Sequence, residues 1–70
     1  MDADKTWNDA IDAAVKEARR QRGANEMVGA TFTRQGFDDL AAGRRSAAVA
    51  LGYLADTIEA MKRPEGGHHD

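Results

Sequence analysis

The sequence predicts an all-α fold: a helical hairpin that pairs with a second copy into a four-helix bundle. Three observations predict it. Apolar residues recur at three- and four-residue intervals along two long stretches, the spacing of one helix face. The single proline, Pro64, stands after both stretches. The second stretch carries apolar residues on two faces, and one neighbouring helix can cover only one of them.

The first helix is expected to begin at Asp4–Thr6 and to end near Arg22. Asp4 or Thr6 can cap it, and Asp2, Asp4 and Asp9 suit the positive end of its dipole. Trp7, Ile11, Val15 and Ala18 make one apolar stripe. Arg19, Arg20 and Arg22 fall in the last turn, and Gly23 is the expected stop. Residues 24–32, bracketed by Gly23 and containing Gly29, read as an irregular connection folding back over the end of the hairpin.

The second, longer helix is expected to start at Thr31 or Thr33 and to run to about Lys62, with Asp38 and Asp39 in its early turns. Its main stripe is Phe37, Leu40, Arg44, Ala47 or Ala48, Leu51, Leu54 or Ala55, Ile58 and Met61, close to a heptad seam. Gly43 is the candidate point for a kink. A narrower stripe follows Ala42, Ser46, Val49, Tyr53 and Ala60. Core and dimer contacts are therefore expected from Trp7, Ile11, Val15, Phe37, Leu40, Val49, Leu51, Leu54 and Ile58. Antiparallel packing is expected to bring Arg19, Arg20 and Arg22 near Asp38 and Asp39.

Length and composition bound the rest. Seventy residues make at most one domain, expected over 1–63, followed by a disordered tail over 64–70. A core of this size is marginal, and no cysteine is present to reinforce it, so association is the expected remedy. The lack of cysteine fits a reducing cytoplasm and removes a thiolate nucleophile or zinc finger. The net charge of −2 argues against direct nucleic-acid binding, which needs a dominant basic face. No apolar run approaches a transmembrane length, and the acidic start Met1-Asp2-Ala3-Asp4 is unlike a signal peptide.

No residue set reads as a catalytic site. Ser46 has no histidine in the helical region to activate it, and Asp38 and Asp39 are adjacent, so they diverge on a helix. The glycines and arginines of Gly36–Ser46 lack the lysine and preceding strand of a phosphate loop. His68-His69-Asp70 reads as a solvated tail rather than a metal site. No cofactor is expected.

The candidate partner-binding residues are Arg19, Arg20, Arg44, Arg45 and Tyr53. Arg19 and Arg20 belong to a basic patch with Lys16 and Arg22, whose plainer reading is dipole complementation. Arg44 falls on the apolar seam; its plainer reading is snorkelling, or pairing with Asp12 or Glu17. Tyr53, on the narrower stripe, is of the type enriched at interfaces.

The stretch Ser46-Ala47-Ala48-Val49-Ala50-Leu51-Gly52, following Phe37 and Asp39, resembles the long helix of small phage-encoded quorum-sensing anti-activators. The parallel extends to the tryptophan-bearing first helix around Trp7 and to the basic pair Lys62-Arg63. The sequence departs from that pattern at Gly43-Arg44-Arg45, where a more apolar, tryptophan-bearing segment is expected. The resemblance implies a dimerising hairpin in the host cytoplasm. It further implies binding to a LuxR-type transcription activator, which is kept off DNA, and to a pilus-assembly ATPase. Two alternatives stand beside it: an oligomeric sponge for a cyclic nucleotide signal, using Arg44, Arg45 and Tyr53, and a minor structural or assembly protein.

Overall fold

A computed structural model describes residues 3–64. Helix α1 spans Ala3–Arg34 and helix α2 spans Asp38–Glu59. They pack antiparallel, with Arg19 facing Asp56 and Glu59, and Gly29 facing Ala41. The hairpin is a rod of 55 × 18 × 11 Å with a radius of gyration of 16.7 Å. A globular chain of this length would have a radius near 11 Å.

The helices meet along a narrow seam. Ala41, Ala48 and Ala55 recur every seven residues on α2 and are 0, 4 and 0 % exposed. Ile11, Val15 and Ala18 of α1 are buried with Ala55, and Trp7 and Ile58 pack against that cluster. Methyl side chains let the two backbones approach closely. Gly29 extends the approach toward the turn: a Cβ there would stand 3.3 Å from Arg44 Cβ and 3.6 Å from the Ala41 carbonyl oxygen.

Both ends of the seam are closed by specific bonds. At the turn, Gly36 adopts φ +83°, the left-handed conformation that favours glycine. The Phe37 N–H donates to the Phe32 carbonyl at 2.9 Å and the Gly36 N–H to that of Thr33 at 3.1 Å, the pairing of a Schellman stop. The rings of Phe32 and Phe37 meet edge to face, 6.3 Å between centroids, supplying the apolar contact of that motif. At the open end, Asn8 is 2 % exposed. Its Nδ2 donates to the Arg63 carbonyl at 2.6 Å, and its Oδ1 accepts from the Arg63 N–H at 2.7 Å. Trp7 Nε1 donates to the Met61 carbonyl at 2.8 Å, and the Arg63 guanidinium lies 4.5 Å from the Trp7 ring centroid.

The hairpin agrees with the expected all-helical architecture, but its proportions are corrected. The first helix is the longer one; it neither stops at Gly23 nor gives way to an irregular connection over 24–32. Glycine in a helix interior costs only about 1 kcal/mol against alanine. The seam residues Asn25, Gly29 and Phe32 continue the spacing of Val15 and Ala18, so packing carries α1 through. Thr31 and Thr33 do not begin the second helix. They close the first, their hydroxyls donating back to the carbonyls of Met27 and Gly29 at 3.2 and 3.1 Å. Helix α2 ends at Glu59 rather than Lys62 and is continuous through Gly43. Asp38 and Asp39 occupy its first turn.

The longer α1 also corrects the charge register. Arg19 lies near the open end, against Asp56 and Glu59, and not beside Asp38 and Asp39. Asp2 and the tail residues His68, His69 and Asp70 lie outside the described residues, as does the expected disordered tail beyond Pro64. No helix among the described residues is long and apolar enough to cross a membrane.

The Asn8 clasp has a measurable consequence. Asn8→Ala strips the Arg63 backbone of both partners and leaves a gap at a buried position. The expected loss is about 1–3 kcal/mol, or a fall of roughly 5–20 °C in the thermal midpoint. Circular dichroism melts at one fixed protein concentration test this; an unchanged midpoint would show that the clasp contributes nothing.

Candidate functional site

The narrow seam leaves both flanks of the hairpin uncovered. Side chains on an α-helix advance by about 100° per residue, so residues seven apart stack in one row. On one flank α2 presents Leu40, Ala47 and Leu54, continued by Met61 in the turn after its end, and α1 presents Trp7, Ala14, Gln21 and Val28. Leu40, Leu54 and Met61 are each about half exposed, at 54, 49 and 49 %. The bond from Trp7 to the Met61 carbonyl places the two rows on the same side.

The opposite flank carries a shallow groove. Glu26, Ala30 and Thr33 of α1 line one stretch of it, with Arg45, Ala48 and Val49 of α2, enclosing a volume of about 340 Å³. A second stretch adjoins it through Glu26, Ala48 and Val49, and is completed by Arg22, Gly52, Tyr53 and Asp56. Val49 is 58 % exposed and Tyr53 71 %.

The expected partner-binding residues divide between these surfaces. Arg45 and Tyr53 both line the groove. Arg45 Nη1 donates to Thr33 Oγ1 at a long 3.5 Å, and among the described residues it meets no carboxylate. Arg19 lies further along the same flank, bonded to Glu59 at 2.8 Å with Asp56 at 3.8 Å. Arg20 is removed from the groove, on the outer face of α1, where Nε and Nη2 donate to the two Glu17 carboxylate oxygens at 2.9 and 2.7 Å. Arg44 sits on the leucine flank. It pairs with neither Asp12 nor Glu17; its Nη1 donates to Asn25 Oδ1 at 3.1 Å. Asp12 is instead bonded to Lys62 at 2.9 Å. Exposed ion pairs of this kind contribute about 0–1 kcal/mol, so they orient side chains more than they hold the fold.

The expected core and dimer residues divide as well. Ile11 and Val15 are buried, while Trp7, Leu51 and Ile58 are half-buried. Phe37, Leu40, Val49 and Leu54 stay exposed on the single hairpin.

Sequence reasoning missed Asn8, Glu26 and Thr33. Asn8 keeps the spacing of the stripe Ile11, Val15 and Ala18, so a polar residue at an apolar position was its available signal. Glu26 was obscured because 24–32 read as a connection rather than as helix, and Thr33 because it read as a start of the second helix. Nothing in the groove pairs a nucleophile with a base. Its lining brings together two guanidinium groups (Arg22 and Arg45), one phenol, one isopropyl group and two carboxylates. Among the described residues no cluster of three or more histidine, aspartate or glutamate side chains could hold a metal.

The Glu17–Arg20 pair gives a pH prediction. Hydrogen bonds from Arg20 and then Gln21 pull the Glu17 carboxyl from 4.5 down to about 2. A depressed carboxyl contributes in full above the unfolded value near 4.5 and loses its contribution as the pH falls through about 2. Carboxyl chemical-shift titration should place Glu17 at about 2. Arg20→Ala should return it toward the ordinary range; the same midpoint in both proteins would rule out the pair as cause.

Compared with known proteins, the chain is matched by no family model, no curated protein and no solved structure.

Proposed function

We propose that the chain is a non-catalytic binding protein, a homodimer that acts by occupying a partner protein and blocking it. The observation that carries this reading is the exposure of Tyr53 and Val49 beside Arg45, an arginine with no carboxylate partner among the described residues. Tyrosine and arginine dominate binding hot spots, because each offers a large contact area together with a polar group. Helix α2 presents them from a continuous helix, so little ordering is required on binding.

The partner best supported is a host LuxR-type transcription activator, and the setting a phage-infected cell. The resemblance of Ser46–Gly52 to phage anti-activators supports this choice, and Val49 lies inside that stretch. The cyclic-nucleotide alternative needs Arg44, Arg45 and Tyr53 to converge on one ligand. Within one hairpin Arg44 lies on the flank opposite Tyr53, which favours the protein-binding reading. No specific observation favours a structural or assembly role.

Titration of a purified LuxR-type activator with the protein is the test. A stoichiometric complex and loss of operator binding are expected. Tyr53→Ala and Arg45→Ala should each weaken the complex about tenfold or more while leaving helical circular dichroism unchanged. Full operator binding at saturating protein would overturn the choice of partner. Unaltered affinity in both variants would overturn the choice of surface.

A further inference from the structure

Resting on the dimeric reading above, we infer that a second copy of this chain covers the leucine flank, with the two α2 helices antiparallel about a two-fold axis near residues 50 and 51. The row Leu40, Ala47, Leu54 and Met61 is self-complementary in that arrangement alone. A two-fold axis at its midpoint sets Leu40 against Met61 of the partner subunit and Ala47 against Leu54 of the partner subunit. Large side chains then meet small ones at the centre, as in interdigitated cores. Parallel alignment would set Ala47 against its own copy and Leu54 against its own copy, leaving a gap at one level and a clash at the next.

Charge favours this flank over the groove. The leucine flank holds one arginine that meets no carboxylate among the described residues, Arg44; Glu17 at its margin is held by Arg20, and at the open end Arg63 lies over Trp7 and pairs with Asp4. The opposite flank carries the Arg19–Glu59 and Asp12–Lys62 pairs and the groove residues Glu26, Arg45 and Asp56. Burying those charges is costly, and the centres of stable interfaces are depleted in them.

The area agrees. A folded monomer of 7.6 kDa would expose about 4,300 Å², whereas the chain exposes 5012 Å². The excess of roughly 700 Å² reflects the elongated shape; a standard interface buries roughly 800 Å² on each partner. Rise per residue makes the row from Leu40 to Met61 about 32 Å long, enough to supply it.

The chain has no cysteine, so introduced thiols report unambiguously. Ala47→Cys and Leu54→Cys are mixed and mildly oxidised. The expected product is a disulfide dimer joining the two variants, with little from either alone. Copies of position 47 stand about one heptad apart along the axis, beyond the roughly 7 Å that a disulfide spans. Val49→Cys mixed with Tyr53→Cys reports the groove flank at the same level and should stay unlinked. Linking there, or a dimer by sedimentation in which neither pair links, overturns this face while sparing the dimeric reading. A helical monomer at tens of micromolar overturns both. Leu54→Glu, half exposed in the hairpin and so tolerated by it, should be a folded monomer; a Leu54→Glu dimer also overturns the proposal.

Discussion

The close approach of two helices over alanine is the constraint on which the rest of the structure depends. Ala41, Ala48 and Ala55 are fully or almost fully buried, yet each contributes only a methyl group. The seam gains contact from backbone proximity more than from side-chain volume. Its cost is a thin core, in which Ile11, Val15 and the half-buried Trp7 and Ile58 bring bulk around Ala55. In the half of the seam nearer the turn, Asn25 and Arg44 meet through a hydrogen bond, and Gly29 and Ala41 close the gap by nearness. Leucine at Ala48 would force the helices apart and uncouple both ends.

A thin seam tolerates sliding poorly defined by apolar contact, so its register is fixed at the termini. At the turn, the left-handed Gly36 and the Phe32–Phe37 edge contact stop α1 and reverse the chain within three residues, 35–37. At the open end, the buried Asn8 side chain satisfies the Arg63 N–H and carbonyl as a neighbouring backbone would. A polar residue buried in an apolar seam commonly specifies alignment. Here it binds backbone atoms, which occur once in every residue, and the Trp7 bond to Met61 and the Arg63 stack select which residue is held.

Much of this was legible in the sequence, and the failures have particular causes. The stripe Trp7, Ile11, Val15 and Ala18 stood at helical spacing, and the near-heptad of α2 held Leu51 and Ile58 with Ala48 and Ala55 as alternatives to Ala47 and Leu54, but took Leu40 in place of the buried Ala41. Both follow from periodicity, which packing reinforces. Gly23 misled because a local stop signal weighs about 1 kcal/mol, less than the packing of Asn25, Gly29 and Phe32 beyond it. Gly36 was the true stop, recognisable from Phe32 and Phe37 placed to meet across it. That single displacement moved the turn and with it every cross-helix pair: Arg19 met Asp56 and Glu59, and Arg44 met Asn25. Of the candidate site, Arg45 and Tyr53 were found together because they lie on one helix. Their neighbours Glu26 and Thr33 come from α1, where the register error hid them.

The seam's narrowness also explains why the molecule has two unlike flanks. In a bundle cored by leucine, the large side chains point at the neighbouring helix and are spent there. With alanine at the contact, Leu40, Leu54 and Met61 are displaced to one side and Val49 and Tyr53 to the other. The first side is nearly free of charge, and the second mixes arginine, carboxylate and phenol. A mainly apolar row suits a permanent contact, since few polar groups, chiefly Arg44 and Gln21, must be desolvated. A mixed groove suits a partner met from solution, since its charged groups remain solvated until binding. The proposed division between self-association and target binding thus follows from placing the smallest side chains where the helices touch.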